Sequence, residues 1–324
     1  MSSIGIGLIG LGRHGSRYAT HLLNDPIPPA RLAAVCRRNR DQGASFADRH
    51  GLRFHDDYRQ LIADPAVHAI VVVTPPALTP QICMEAIRAR KAVLIEKPLA
   101  CTGPSAREMV EAADAAGVPL MTAQTLRFDG AVLALRAEVP KVGRCRYVVL
   151  TNRIEPRADS AAEARHYGGR GVLLEIGIHL IDLVRFLASE EVTEVRCEME
   201  HPAPNEPEVR AVVMLKTSSQ MSGVLDVSRV SAGRATRVEW IGEDGQLIAD
   251  WTRHCLTRVA AGNTIEERSV EPNPTVLATL RAFADALGRG SSMPITGRDG
   301  QRAVEIADAC YESAQHGRWV RVVP

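Results

Sequence analysis

Gly10-Leu11-Gly12-Arg13-His14-Gly15 stands between a short aliphatic run and an amphipathic one. Its G-x-G-x-x-G spacing suits a strand-to-helix turn that cradles a pyrophosphate. The first glycine turns the chain, the second admits phosphate to the backbone, the third lets helix pack on strand, and the helix N-terminus offers unpaired N–H groups. All six residues are candidate dinucleotide contacts, although a glycine-rich turn can also be only a turn. About 20 residues further on, an NAD site needs an acid for the ribose hydroxyls. Here the run Leu32-Ala33-Ala34-Val35-Cys36 ends in Arg37-Arg38-Asn39-Arg40, with no acid before Asp41. Arg37 and Arg38 can pair with a 2′-phosphate, which predicts NADP(H) in preference to NAD(H), a cofactor the same turn would accept. The competing reading is a solvated basic turn in an arginine-rich chain.

Two further groups follow aliphatic runs, at the strand ends where open α/β sheets bind ligands. They are Thr74-Pro75-Pro76 and Glu96-Lys97-Pro98. Lysine is scarce: Lys91, Lys97, Lys141 and Lys216 stand against 35 arginines. Of the two types only lysine can lose its proton in a protein. Lys97 therefore reads either as a proton relay beside a nicotinamide ring or as a surface lysine held by Glu96. The last group is Gly168-Gly169-Arg170-Gly171, followed by Glu175, His179 and Asp182 at i, i+4 and i+7 of an apolar helical pattern. In an α-helix those three share one face, so His179 beside a carboxylate is a candidate general acid/base, or else a structural histidine. Gly177 inside the helix costs about 1 kcal/mol against alanine, which points to close packing or binding there. No metal site is expected, since neither H-E-x-x-H nor a C-x-x-C pair occurs.

These residues need elements to position them. Residues 1–124 alternate aliphatic runs (3–9, 31–36, 69–74, 92–95, 119–123) with helical patterns (15–23, 40–50, 79–89, 104–116), the βαβ order of a parallel sheet. Residues 125–324 read differently. A helix at 130–138, a strand at 144–151 and a helical segment at 172–188 precede consecutive strand-like runs at 192–199, 209–216, 221–230, 237–241, 246–249 and 256–260. Two helices, 275–287 and 298–315, and a short strand at 319–323 close the chain. The expected fold class is α/β: a Rossmann dinucleotide-binding domain followed by an α+β domain on an open, mostly antiparallel mixed sheet.

Composition narrows the function. With 39 basic and 38 acidic residues the net charge is +1, so no global field draws the chain to nucleic acid or an anionic membrane. At 324 residues, 45% hydrophobic and 24% charged, two ordinary globular domains are expected. Seven scattered cysteines suit reduced thiols and a cytoplasmic location.

Together the glycine turn, Thr74-Pro75-Pro76, Glu96-Lys97-Pro98, the glycine run before Glu175-x-x-x-His179-x-x-Asp182, and the closing Thr296-Gly297-Arg298-Asp299-Gly300 resemble the Gfo/Idh/MocA family of NAD(P)-dependent oxidoreductases. The resemblance covers nearly the whole chain. It implies Lys97 and His179 as the catalytic pair, with Glu175 where family members usually have Asp. It also implies hydride transfer between the nicotinamide and a secondary alcohol carbon of a sugar, polyol or cyclitol. A homodimer or homotetramer through the C-terminal sheet would follow. Arg170 interrupts the glycine triplet and is expected to meet either substrate or solvent. Arg127, Arg153, Arg157, His166 and Tyr167 are candidate substrate contacts. Two other functions fit the same frame, a glycoside hydrolase that retains its dinucleotide and a non-catalytic NADP-binding regulator.

Overall fold

The aliphatic runs at the start of the chain have no polar face to leave in water, so each is buried on both sides as a parallel strand. In the computed structural model, which describes residues 3–157, 163–263 and 265–323, the order is β1 (Ile4–Ile9), α1 (Arg13–Asn24), β2 (Ala30–Cys36), α2 (Arg40–His50), β3 (Arg53–His55), α3 (Tyr58–Ala63), β4 (Ala69–Val72), α4 (Thr79–Arg88), β5 (Ala92–Glu96), α5 (Gly103–Ala116) and β6 (Leu120–Ala123). All pairings are parallel, in the order β3-β2-β1-β4-β5-β6. The connection order reverses between β1 and β4, which opens a crevice at the carboxyl ends of those strands. The expected strands and helices of this region are present with ends moved by one or two residues. β3 and α3 are additions: three residues at a sheet edge and a six-residue helix are too short to show a period.

The chain continues with α6 (Gly130–Glu138) and β7 (Cys145–Arg153). Next come α7 (Ile178–Ala188), β8 (Val192–Glu200), β9 (Arg210–Thr217) and β10 (Ser222–Ser228). β11 (Ala235–Gly242), β12 (Gly245–Asp250), β13 (Cys255–Ala260) and β14 (Ile265–Ser269) follow. α8 (Thr275–Arg289), α9 (Gly297–His316) and β15 (Val320–Arg321) end it. Strands β7 to β15 form one mixed sheet, β14-β13-β12-β11-β7-β10-β9-β8-β15. β7 and β10 run parallel and the other neighbours antiparallel. Alternation sends Val148, Leu150, Val213, Leu225, Val238 and Trp240 into a core covered by α6 and α7. Tyr147 and Met214 are exposed on the opposite face, with Val224 and Ile241 half-buried beside them. β14 was not expected, because all five of its residues are exposed and carry no apolar alternation.

Two compact units result, Met1–Thr125 with Thr275–Arg302, and Leu126–Pro274 with Ala303–Pro324. This corrects the expectation that residues 125–324 form a single domain. Val276, Leu277, Leu280 and Phe283 give α8 a buried stripe, and α8 packs on α1 and β6 of the first unit. Arg281 Nε donates to the Pro26 carbonyl at 3.2 Å, and Thr296 bridges Met121. Position in the chain places α8 after the second sheet; its apolar stripe is buried in the first unit.

Candidate active site

In the first unit the three glycines of the turn are required for different reasons. Gly10 has φ +97°, and a Cβ there would lie 2.2 Å from the Val73 carbonyl oxygen. At Gly15 a Cβ would lie 1.9 Å from the Gly10 oxygen, so contact between helix and turn excludes any side chain. Gly12 differs, with ordinary extended backbone (φ −82°, ψ −170°) and nothing within 4 Å of a Cβ. The chain itself does not demand glycine there. The open space lies in front of α1, whose first turn has no acidic residue and no side-chain cap, leaving N–H groups to bind an anion. These residues fit a dinucleotide pyrophosphate.

Leu11, Arg37 and Gln42 brace the turn. Arg37 Nη1 donates to the Leu11 carbonyl at 2.8 Å, and Nη2 donates to Gln42 Oε1. Arg37 is thus partly structural, whereas Arg38 is exposed beside it. Arg40 approaches Asp56 at 3.6 Å, which dilutes the basic cluster. Burial, with Asp57 and Asp56 near, pushes the Cys36 thiol up to about 12. Arg13 and His14 open α1. Thr74 follows β4 and lies against Gly10, its Cγ2 3.2 Å from where a Cβ would be. Pro75 and Pro76 lead into a short 3-10 turn before α4.

Glu96 is the hub at the end of β5. Its Oε1 accepts from Tyr18 Oη at 2.6 Å and faces His14 Nε2 at 2.7 Å, and its Oε2 accepts the Lys97 backbone N–H at 3.0 Å. Glu96 therefore ties the first helix to the half-buried Lys97, whose peptide bond to Pro98 is cis. Burial alone would raise the Glu96 carboxyl, but the His14 hydrogen bond and charge, the Lys97 charge and the Tyr18 hydroxyl outweigh it and hold it below the usual value of 4.5. Burial and the Glu96 charge push the Tyr18 phenol well up. A carboxyl depressed in the fold contributes stability above its unfolded pKa and loses it as pH falls through the folded one. Glu96→Gln is therefore expected to lower Tm at pH 7 by about 5–10 °C, from roughly 2–3 kcal/mol for a buried charged network. It should also remove part of the stability loss expected as pH falls below the usual carboxyl value of 4.5. Thermal unfolding of both proteins from pH 7 to 3.5 checks this, and parallel curves would count against it.

In the second unit the glycine run leads into a π-helical turn, Leu173–Gly177, continuous with α7. Such single wide turns are frequent at functional sites. Glu208, 3% exposed, caps this start: its carboxylate accepts the backbone N–H of Gly171 at 2.8 Å and of Leu173 at 3.0 Å, and the Tyr311 hydroxyl at 2.7 Å. Burial and the Glu208 charge raise the Tyr311 phenol well above its usual value. Arg170 pairs with Asp308 and stacks 4.5 Å over the Tyr311 ring, so it buttresses the run, and it also lines the cavity beside Glu175. A Cβ on Gly171 would lie 2.1 Å from the Glu208 carbonyl oxygen, and one on Gly177 would lie 2.8 Å from Leu173 Cδ1 and 3.3 Å from Val227 Cγ1. Close packing accounts for both.

Glu175 stands in the wide turn, where α-helical spacing does not hold, while half-buried His179 and Asp182 lie in the regular helix α7. The wide turn holds Glu175, whose oxygens are gripped by Arg229 Nε at 3.0 Å and Nη2 at 2.8 Å, with Arg157 Nη1 at 2.6 Å. Asp182 is buried and takes Arg127 Nε at 2.7 Å and Nη2 at 2.6 Å. Arg127, expected at the substrate, is thus committed to a buried ion pair, and Arg153 is committed to Asp226 across the sheet. Tyr167, Arg157, Glu175 and Arg229 line a cavity of about 100 Å³ together with Glu163 and Glu208. His166 is exposed, 3.9 Å from Glu163. Lys97 lies in the first unit and His179 in the second. Arg229, Glu208 and Tyr18 carry no sequence motif and become evident only through their partners. Among the described residues no cluster of three or more His, Cys, Asp or Glu could hold a metal ion, and no helix is long and apolar enough to cross a membrane.

A parallel sheet with a glycine turn at its switch point defines a dinucleotide-binding fold, and known proteins share it. Residues 4–124 match the oxidoreductase family with an NAD-binding Rossmann fold, and residues 130–248 match the GFO/IDH/MocA C-terminal domain. The inositol 2-dehydrogenase of Paracoccus denitrificans is 30% identical over 96% of this chain and 94% of its own. The myo-inositol 2-dehydrogenase of Thermotoga maritima is 28% identical over 98% of each. The crystal structure of an oxidoreductase domain protein from Kribbella flavida has the same fold, with TM-score 0.90 at 23% identity over the whole of both chains. The chain belongs to the Gfo/Idh/MocA family of oxidoreductases.

Proposed function

We propose that this oxidoreductase is NADP-preferring and transfers hydride between the nicotinamide and a secondary alcohol or ketone carbon of a sugar, polyol or cyclitol. The observation that carries it is Gly12, a glycine that neither backbone nor packing requires, at the mouth of the helix where a pyrophosphate would sit. The inositol dehydrogenases among its relatives support the substrate class, and Arg37 with exposed Arg38 at the end of β2 supports the 2′-phosphate. When bound, the nicotinamide supplies the hydride acceptor in oxidation and the donor in reduction. His179 takes the hydroxyl proton as the carbon loses hydride, and returns it in the reverse direction. Lys97, at the strand end of the dinucleotide-binding unit, is the amine that the family resemblance implies for steadying developing negative charge. Glu175 orients the polar groups around the imidazole and offers an acceptor to substrate hydroxyls. A panel of inositols, polyols, sugars and keto-sugars followed at the nicotinamide absorbance with each cofactor tests the reaction. No turnover with any compound would remove the proposal.

The exposed sheet face supports a homo-oligomer. In register, Ile241 lies opposite Tyr147, and Val224 opposite Met214, giving an apolar patch that a second copy would cover. Sedimentation is expected to show a dimer or tetramer that Tyr147→Glu/Met214→Glu converts to monomer. A monomeric unaltered protein would contradict this.

A further inference from the structure

We infer that Arg229 is a positioning residue for the proposed reaction: it clamps Glu175 as a fixed acceptor at the wall of the cavity, and it makes glutamate rather than aspartate the working residue at position 175. The inference rests on the proposed function. Arg229 directly follows β10, whose Val227 presses on Gly177 of the wide turn. Its backbone N–H is anchored to the Val209 carbonyl at 2.8 Å. The guanidinium gives Nε and Nη2 to the two oxygens of Glu175 and Nη1 to the Glu155 carbonyl at 2.9 Å. One rigid fork thus joins the end of β10, the turn before α7 and the strand-end segment after β7.

The pair is nearly dry, with side chains 11% and 12% exposed. Removing one partner from such a pair leaves the other as an uncompensated buried charge. Arg157 also reaches Glu175 but is 36% exposed and shares itself with Glu163 at 3.4 Å, so it cannot replace a bidentate grip. Oε2 of Glu175 takes Arg229 Nε, and Oε1 takes Arg229 Nη2 together with Arg157 Nη1, so the carboxylate is fixed where it lines the cavity. A glutamate has one more rotatable bond than an aspartate, and the fork removes that freedom. An aspartate here would stop one methylene short of Arg229.

The test uses full-length enzyme with NADP+ and myo-inositol, or the panel polyol with the highest turnover. Arg229→Met is expected to lower kcat/KM by about 100-fold, the scale of a misplaced group of about 1 Å, with the NADP+ dissociation constant unchanged within about two-fold. Arg229→Lys restores charge without the fork and should recover Tm but no more than about a tenth of kcat/KM. Glu175→Asp should lose activity as Arg229→Met does, and Glu175→Asp/Arg229→Met should be no worse than Glu175→Asp alone. Independently of turnover, the Tm losses of Arg229→Met and Glu175→Gln should be non-additive. Turnover that survives Arg229→Met within about three-fold, full activity in Glu175→Asp, or additive Tm losses each overturn the inference. No turnover by the unaltered enzyme on any polyol overturns the proposed function itself, a result distinct from these.

Discussion

His179→Asn is expected to lower kcat/KM for polyol oxidation by about 10³-fold, within the 10²–10⁴ that a positioned acid/base contributes, while leaving dinucleotide binding within about two-fold. The imidazole is half-buried and stands in the first turn of α7, and asparagine keeps its polarity without its proton chemistry. The glycine turn belongs to the other compact unit, so cofactor affinity should be insensitive to the change, and an unchanged Tm controls for folding. Lys97→Met should cause a loss of similar size, since methionine fills the volume without an amine. Pre-steady-state and steady-state rates with the best panel substrate, alongside a fluorescence titration of NADPH, separate chemistry from binding. Activity retained within ten-fold in His179→Asn would assign the proton transfer elsewhere.

Cofactor choice carries the second large effect. The unaltered enzyme is expected to bind NADP+ more tightly than NAD+, and Arg38→Ala should weaken NADP+ about tenfold, as loss of one charge-assisted hydrogen bond of roughly 1.5 kcal/mol would. NAD+ should change less than about two-fold, because Arg38 is exposed beyond the turn. Arg37→Ala is a different experiment. Arg37 also braces the Leu11 carbonyl, so its removal should weaken both cofactors and add to the loss for NADP+. Paired calorimetric titrations with NAD+ and NADP+ decide the matter; equal affinities, or tighter NAD+, in the unaltered enzyme would discard the preference.

How far the sequence discloses this protein depends on the range of the interaction concerned. The strands of the first sheet were legible because Ile70, Val71, Leu94 and Ile95 are buried on both faces and so form unbroken aliphatic runs. β3 and α3 were hidden by brevity, and β14 by its exposed polar surface. The apolar stripe of α8 was visible, but a stripe records that a helix is covered and not by which sheet. In the site, spacing brought out Lys97, Glu175 and His179; the π turn replaces α-helical geometry at Glu175, whereas His179 and Asp182 lie in an α-helix as read.

Motif spacing and aliphatic runs are local patterns along the chain, so the sequence alone determined the Rossmann turn, the two-part α/β architecture and Lys97 at the end of a strand. Charge pairing acts between residues far apart in the chain. With 35 arginines present, no spacing could show that Arg127 belongs to Asp182, Arg170 to Asp308 and Arg229 to Glu175. Only the tertiary structure decided those partners. A guanidinium and a carboxylate pair when folding brings their elements within about 3 Å and removes the water between them.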